Sequence, residues 1–209
     1  MSDKARFWDK TADKYSRQPI SNQKAYDLKL ELTREYFTPE SKVLEFGCGT
    51  GSTALLHAPY VDQIDAIDVS PRMIEIAKAK LAPAGIDNVN FEVADMDGYQ
   101  ADPDSYDAVL GLNILHLLDD RMAAIEEVYR VLKPGGLFVS STFCSREKIM
   151  FRLMEPLFVL MHVLKQWPHL RRFTVKQLEA DIQSVGFQTV HFWQPDNSSV
   201  LFLIGRKPA

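Results

Sequence analysis

A chain of 209 residues with 46% apolar and 25% charged residues has the composition of one ordinary soluble globular domain with a sizeable core. Its net charge of −4 and its lack of a basic block disfavour a nucleic-acid-binding surface. The polar start MSDKARFWDK lacks the apolar segment of a secretory signal, so we expect a cytoplasmic protein. The two cysteines, Cys48 and Cys144, are far apart in the sequence and form no metal-ligand pattern, so we expect reduced thiols and no metal.

Residues 1–40 are predicted to form two helices that separate at Pro19 and cover one face of a sheet. The first helix carries a cluster of aromatic side chains, which are Phe7, Trp8 and Tyr15. The second has regularly spaced leucine and aromatic positions, as an amphipathic helix requires.

The stretch VLEFGCGTG, Val43–Gly51, joins a strand to a glycine-rich turn. The apolar run at its start is typical of a strand buried in a parallel sheet. Glycines follow at alternate positions, Gly47, Gly49 and Gly51, and let the turn approach a ligand closely. Free N–H groups of the helix that follows add a partial positive pole. The stretch therefore predicts a nucleotide-type cofactor site.

The spacing of these glycines distinguishes between cofactors. A dinucleotide fingerprint is G-x-G-x-x-G, but this turn reads G-x-G-x-G, and Ser52 stands where the last glycine would fall. Glu45 would repel a pyrophosphate and attract a sulfonium or ammonium cation. An acidic residue followed by GxGxG resembles the first motif of the class I S-adenosylmethionine-dependent methyltransferases, in particular their small-molecule, UbiE-like group. That resemblance implies that Glu45 and the loop 47–51 contact S-adenosylmethionine, with Cys48 packing in the loop rather than reacting.

The same resemblance extends to the first helix. Its sequence FWDKTADKYSRQPI is similar to the N-terminal stretch of many small-molecule methyltransferases, which folds over the cofactor. The resemblance implies that Tyr15 contacts cofactor or substrate. The alternative is that these aromatic residues only pack against the sheet.

The next strand, QIDAID, covers Gln63–Asp68. A carboxylate at the tip of the second strand of a Rossmann-like unit can accept hydrogen bonds from both ribose hydroxyls. The alternative role of Asp68 is helix capping, but Ser70 before a proline already has the features of an N-cap. The resemblance further implies that Val69 and Met73 lie beside the cofactor, with Met73 near the adenine.

A third strand is predicted over residues 88–94, where apolar residues alternate. It is followed by Asp95 and Met96. In the resembled family an acidic residue here accepts a hydrogen bond from the adenine amino group, and a neighbouring side chain covers the ring. Asp95 and Met96 match these roles, whereas Asp97 is expected to be solvated.

The fourth strand, Tyr106–Leu112, ends next to Asn113 and His116, at the edge where open α/β sheets bind ligands. We expect Asn113 to line the cofactor site. His116 has the unperturbed pKa of a general base, but the leucines around it favour a structural or pocket-lining role. This place also lacks the proline-aromatic motif of the nucleic-acid amino-methyltransferases, which argues against a DNA or RNA acceptor.

A helix over 120–132, the turn KPGG and a fifth strand, Leu137–Phe143, follow. The apolar segment 146–172 contains Pro156 and charged residues and is too interrupted to span a bilayer. We predict a helical cap over the acceptor site, with Met154, Phe158 and Met161 facing the pocket. A peripheral membrane contact is the alternative.

The chain ends with a helix capped by Thr174 and closed by Gly186, and with two strands joined by the turn PDNSS. The resemblance implies a Rossmann-like, doubly wound α/β sheet of seven strands, mostly parallel, with the last strand antiparallel. We predict a single domain, 1–209. Its parts are a helical cover (1–40), a cofactor-binding core (42–143), a helical cap (146–172) and a final helix with a hairpin (173–209).

These observations predict an S-adenosylmethionine-dependent methyltransferase that acts on a small, partly apolar acceptor and has no transmembrane segment. Two alternatives from other classes remain at this point. One is a nicotinamide-dependent oxidoreductase of Rossmann type, and the other is a protein that binds S-adenosylmethionine without catalysis.

Overall fold

Seven strands form one sheet in the order β3-β2-β1-β4-β5-β7-β6. The structure is a computed structural model that describes residues 3–146, 154, 156, 157, 161, 170–195 and 198–209. The strands are β1 Lys42–Phe46, β2 Gln63–Asp68, β3 Val89–Val93, β4 Tyr106–Leu112, β5 Leu132–Phe143, β6 Gln188–Trp193 and β7 Val200–Arg206. Strands β1 to β5 pair in parallel, whereas β7 runs antiparallel to both of its neighbours. The predicted mostly parallel sheet with an antiparallel last strand is confirmed.

The direction in which the chain adds strands to the sheet reverses between β1 and β4. From β1 the chain moves outward to β2 and β3, and it then returns to β4 on the other side of β1. Loops that leave the carboxyl ends of β1 and β4 therefore diverge and open a crevice, which is where doubly wound sheets bind ligands. The glycine-rich turn follows β1 directly.

Helices lie between the strands and begin where the sequence supplies caps. In the described residues they are α1 Asp3–Tyr15, α2 Gln23–Arg34, α3 Ser52–His57, α4 Pro71–Lys78, α5 Leu81–Ala84, α6 Arg121–Val131 and α7 Val175–Ser184. The predicted caps are confirmed: Ser70 Oγ accepts from the Met73 N–H, and Thr174 forms a capping box with Gln177. Gly186 has the left-handed backbone expected after the end of α7.

Each face of the sheet packs its own apolar core. Leu44, Phe46, Val109 and Phe138 belong to the core on one face. Val43 and other side chains form the second core, together with parts of α2 and α3. Because side chains of a strand alternate between faces, Glu45 points to the same face as Val43. A carboxylate is thus placed in an otherwise apolar row.

One boundary differs from the prediction. The predicted KPGG turn lies inside β5, which begins at Leu132. The pairing shifts there: Leu132 is opposite Tyr106, but Leu137 is opposite Ala108, so β5 accommodates three more residues than β4 between the two pairs. Gly135, with φ 81°, allows this irregularity.

The predicted cap over 146–172 lies largely outside the described residues, and so does Phe158; Met154 and Met161 are described only as half-buried positions. In the described ranges, the structure has no helix whose length and hydropathy would suit it to crossing a membrane.

Candidate functional site

The turn between β1 and α3 is held in a shape that glycine favours. Gly47, Gly49 and Gly51 have φ of 65°, 55° and 74°. The Cys48 N–H donates to the Ile67 carbonyl at 3.0 Å, and the Gly51 N–H donates to the Cys48 carbonyl, also at 3.0 Å. The turn is therefore fixed to the end of β2 as well as to β1.

Gly49 and Gly51 differ in the space that a side chain would find at each position. A Cβ on Gly51 would lie 2.5 Å from Cζ of Phe91 and 2.9 Å from Cβ of Ala77, whereas one on Gly49 would meet only Tyr15, at 3.7 Å. We expect Gly51→Ala to lower the free energy of unfolding by about 2–5 kcal/mol, from backbone strain plus overpacking. Gly49→Ala, the matched control, should cost about 1–2 kcal/mol, from strain alone. Urea denaturation measures both, and equal losses would contradict the packing argument.

Asp68 fastens the turn from the end of β2. Its Oδ2 accepts the Gly49 N–H and its Oδ1 accepts the Ser70 N–H, both at 2.9 Å. Burial raises the pKa of Asp68, while the two N–H donors lower it, and Asp9 and Asp95 add a smaller upward effect. Each carboxylate oxygen keeps a lone-pair direction for a further donor. Asp68 can therefore organise the turn and accept hydrogen bonds from a ligand's hydroxyls.

Glu45 is the most unusual charge of the site. It is only 3% exposed, and its Oε2 has no hydrogen-bond partner among the residues that the structure describes. Burial, with Asp68 as a second cause, raises the pKa of Glu45 from 4.5 to about 8. A buried carboxylate oxygen without a partner is costly unless a donor or a cation binds to it.

Two side chains of α2, which were not predicted from the sequence as site residues, reach this edge of the sheet. The Tyr26 hydroxyl lies 3.0 Å from the Thr53 hydroxyl in α3, and burial raises its pKa. Lys29 Nζ donates to Ser141 Oγ at the end of β5, at 2.7 Å. A sequence signal was available, because these two residues share one helix face with Leu30 and Thr33. However, that face contains a lysine where an apolar residue is expected.

Helix α1 lies over the glycine turn and is attached to α4. Asp9 Oδ1 accepts from the Ser70 hydroxyl and, at 3.1 Å, from the Arg72 N–H. Arg72 also pairs with Asp13 at 2.7 Å. These contacts bring Tyr15 to the turn. The residue is 47% exposed, but desolvation, with Asp68 and Glu45 as weaker causes, raises the pKa of its hydroxyl.

The residues predicted around the adenine are found near the ends of β2 and β3. Asp95 is half-buried and close enough to Asp68 to raise its pKa. Val69 is also half-buried. Met73 and Met96 are buried, Met96 in the core on the first face of the sheet. Thus Asp95 and Val69 offer surface to a ligand, whereas Met73 and Met96 offer little in this arrangement.

At the end of β4 the structure separates the two predicted residues. Asn113 is exposed and has φ 57°, a conformation that asparagine tolerates. His116 lies in a short 3-10 helix, Leu115–Leu117, with its ring 6.0 Å from that of Phe143. Its Nδ1 is buried without a partner in the described part of the chain, and burial lowers its pKa to about 4. His116 is therefore neutral at pH 7.

Cys48 has the surroundings of a packed thiol. Its side chain belongs to the core on the second face. Burial, with Glu45 and Asp68 nearby, raises its pKa well above the ordinary value. Because the thiolate is the reactive form, this environment disfavours nucleophilic chemistry at Cys48.

Together, the first strands present a buried carboxylate, Glu45, a second carboxylate that can accept from a diol, and a glycine turn that Tyr15 approaches at Gly49. Glu45, Asp68, Tyr15 and Tyr26 lie on the same face of the sheet. Such a set fits a ligand that combines a ribose with a positively charged group, and it fits a pyrophosphate poorly.

Comparisons with known proteins agree with this description. A model of the family described as "Methyltransferase domain" matches residues 43–136. The uncharacterized methyltransferase YcgJ of Bacillus subtilis is 29% identical over 183 residues, which are 83% of this chain and 71% of that protein. The malonyl-[acyl-carrier protein] O-methyltransferase 1 of Ilyobacter polytropus is 35% identical over 158 residues, 75% of this chain. The chain spans 56% of the length of that second relative.

Solved structures show the same fold. The crystal structure of YcgJ from Bacillus subtilis superimposes with a TM-score of 0.73 at 20% identity, covering 88% of this chain and 99% of that one. The crystal structure of the [4+2]-cyclase SpnF gives a TM-score of 0.75 at 21% identity, covering 92% and 85%. At these identities the likeness concerns the fold alone.

Proposed function

We propose that this chain is a class I S-adenosylmethionine-dependent methyltransferase that moves the sulfonium methyl of its donor to a nucleophilic atom of a small molecule. The match to the methyltransferase domain and the named relatives support this proposal. The observation that carries the proposal is the buried carboxylate oxygen of Glu45 beside the glycine turn, which no described residue hydrogen-bonds. A cation of the methyl donor would satisfy that oxygen. The dinucleotide of an oxidoreductase offers a pyrophosphate there instead.

Each of the following side chains helps to hold the donor in this proposal. Glu45 binds the positively charged amino-acid end, and Asp68 accepts from the ribose hydroxyls. Asp95 accepts from the adenine amino group. Tyr15 closes the crevice from α1, since its ring approaches the position of Gly49. Met73 and Met96 support these groups from the core.

Methyl transfer depends mainly on the alignment of the acceptor atom with the methyl group of the donor. The bound donor supplies an electrophilic methyl group whose leaving group is a neutral thioether. A fixed in-line geometry supplies roughly 7–11 kcal/mol of barrier reduction in favourable cases. No acid is needed, and a base is needed only if the acceptor must lose a proton before it attacks. His116 is neutral at pH 7 and could take that proton, but its lowered pKa makes it a weak base.

Calorimetric titration with S-adenosylhomocysteine, the demethylated product, tests the cofactor assignment. We expect binding in the micromolar range or tighter and no measurable binding of NADH. The turn lacks the third dinucleotide glycine, and Ser52 at that position is exposed at the start of α3. Tighter binding of NADH than of S-adenosylhomocysteine would refute the proposal in favour of an oxidoreductase.

A second measurement separates an enzyme from a binding protein without catalysis. Transfer of a labelled methyl group from S-adenosylmethionine is followed with a panel of phenols, amines, thiols and carboxylates. We expect transfer to at least one class. Binding of S-adenosylhomocysteine with no transfer to any member would favour the non-catalytic alternative.

A further inference from the structure

The carboxyl end of β5 carries a polar pair that the donor site does not use. Glu45 is in register with Leu110, and Leu110 with Val139. Ser141 lies two residues beyond Val139 and therefore on the same face as Glu45, nearer the edge of the sheet. Strand β4 separates β1 from β5, so two strand spacings, about 10 Å, lie between the strand of Glu45 and that of Ser141.

Lys29 reaches this position from α2. Its Nζ donates to Ser141 Oγ at 2.7 Å, which uses one of three N–H donors. In the ranges that the structure describes, the ammonium has this hydrogen bond and no carboxylate within ion-pair distance. Burial alone lowers its pKa. Lys133, by contrast, forms an ion pair with Asp107 at 2.8 Å.

The surroundings of the pair are apolar. Ser141 is registered with Leu112 on β4 and with Phe202 on β7. Side chains in register project to the same face, so both flank Ser141. Trp193 packs edge-on against Phe202, with ring centroids 6.5 Å apart. A cation between apolar groups attracts an anion more strongly than one in water does.

We propose that Lys29 Nζ, held in place by the buried Ser141 hydroxyl, binds an anionic oxygen, such as that of a carboxylate or phenolate, on the methyl acceptor. The inference rests on the proposed function. If the donor lies over the ends of β1 to β3, the acceptor lies over the ends of β4 and β5. The acceptor's apolar part lies along the half-buried Leu112, with the fully buried Phe202 behind it. The acceptor class is therefore an anionic molecule with an apolar body.

Binding of small anions to the protein saturated with S-adenosylhomocysteine tests this. Benzoate and hexanoate are compared by NMR titration with their neutral amides, and 4-nitrophenolate with 4-nitroaniline. We expect at least one anion to bind about tenfold or more tightly than its neutral partner. Lys29→Met should remove that preference, as expected for the loss of one charge-assisted hydrogen bond. Lys29→Arg should retain it, and Ser141→Ala should weaken it less.

Lys24→Met is the matched control, because Lys24 is exposed on the same helix. It should leave the preference for anions and the affinity for S-adenosylhomocysteine unchanged. Equal binding of anions and neutral partners, including no binding of either, would overturn the inference. So would a tenfold loss of S-adenosylhomocysteine affinity in Lys29→Met, which would assign Lys29 to the donor's own carboxylate. If S-adenosylhomocysteine does not bind to the wild-type protein, the proposed function itself fails.

Discussion

Asp68→Ala should weaken S-adenosylhomocysteine binding by about 100-fold or more. The carboxylate is proposed to accept two ribose hydrogen bonds, and hydrogen bonds to a charged group are worth about 1.5–3 kcal/mol each. Each 1.4 kcal/mol corresponds to about a factor of ten in affinity. The substitution also removes the acceptor of the Gly49 and Ser70 N–H groups, so the glycine turn loses one of its attachments to the end of β2. Calorimetry on the purified variant measures the effect.

Controls distinguish loss of contact from loss of the fold. Asp62→Ala, at an exposed carboxylate before β2, should bind as the wild type does. Asp68→Asn keeps one acceptor oxygen and should fall between the wild type and the alanine variant. Each variant's circular dichroism should match that of the wild type. An affinity for Asp68→Ala within threefold of wild type would refute the role of this carboxylate.

Glu45→Gln should stabilise the ligand-free protein at pH 8 and weaken donor binding. The folded pKa of Glu45, about 8, lies above the unfolded value near 4.5, so folding favours the protonated form. The stability contributed by that form is complete below pH 4.5 and is lost as the pH rises through 8. At 1.36 kcal/mol per pH unit, the loss is at most about 5 kcal/mol. The neutral amide does not suffer it.

Urea denaturation of the ligand-free protein between pH 5 and pH 8.5 measures this difference. We expect the wild type to lose stability with rising pH and Glu45→Gln to lose less. Glu92→Gln, on the exposed side of β3, is the control and should follow the wild type. Identical pH profiles for the wild type and Glu45→Gln would contradict the raised pKa.

Donor binding should show the opposite trend with pH. A cation stabilises the ionised carboxylate, so binding of S-adenosylmethionine below pH 8 must release a proton from Glu45. Affinity should therefore rise from pH 6 to pH 8 in the wild type and change little in Glu45→Gln. Calorimetry in two buffers of different ionisation enthalpy detects the proton, and its absence would argue against an ion pair at Glu45.

The sheet could be predicted because its strands carry strong local patterns. The predicted bounds of Gln63–Asp68 and Tyr106–Leu112 agree with the structure. Each is an apolar or alternating run between polar turns, and such patterns act within a few residues. The position of Asp68 at the end of β2 followed from the same reasoning. Its roles toward a ligand remain predictions.

The acceptor side of the site was harder to predict because it depends on tertiary packing. Lys29 meets Ser141 across 112 positions of sequence, and no local pattern signals such a contact. The irregular start of β5 was missed for a similar reason: KPGG has the composition of a turn, but pairing with β4 on either side includes it in the strand. Met73 was predicted from its place in a motif, which carries no information about burial.

Hydrogen bonds through Ser70 connect Asp68 to Asp9, a residue that is far away in the sequence. Asp68 accepts the Ser70 N–H, and the Ser70 hydroxyl contacts Asp9 in α1. Asp68 and a helix about sixty positions upstream in the sequence thus share a single intermediary, Ser70. Mutational sensitivity of the cofactor crevice therefore extends to a helix remote in sequence, and changes at Asp9 belong to the same functional unit as changes at Asp68.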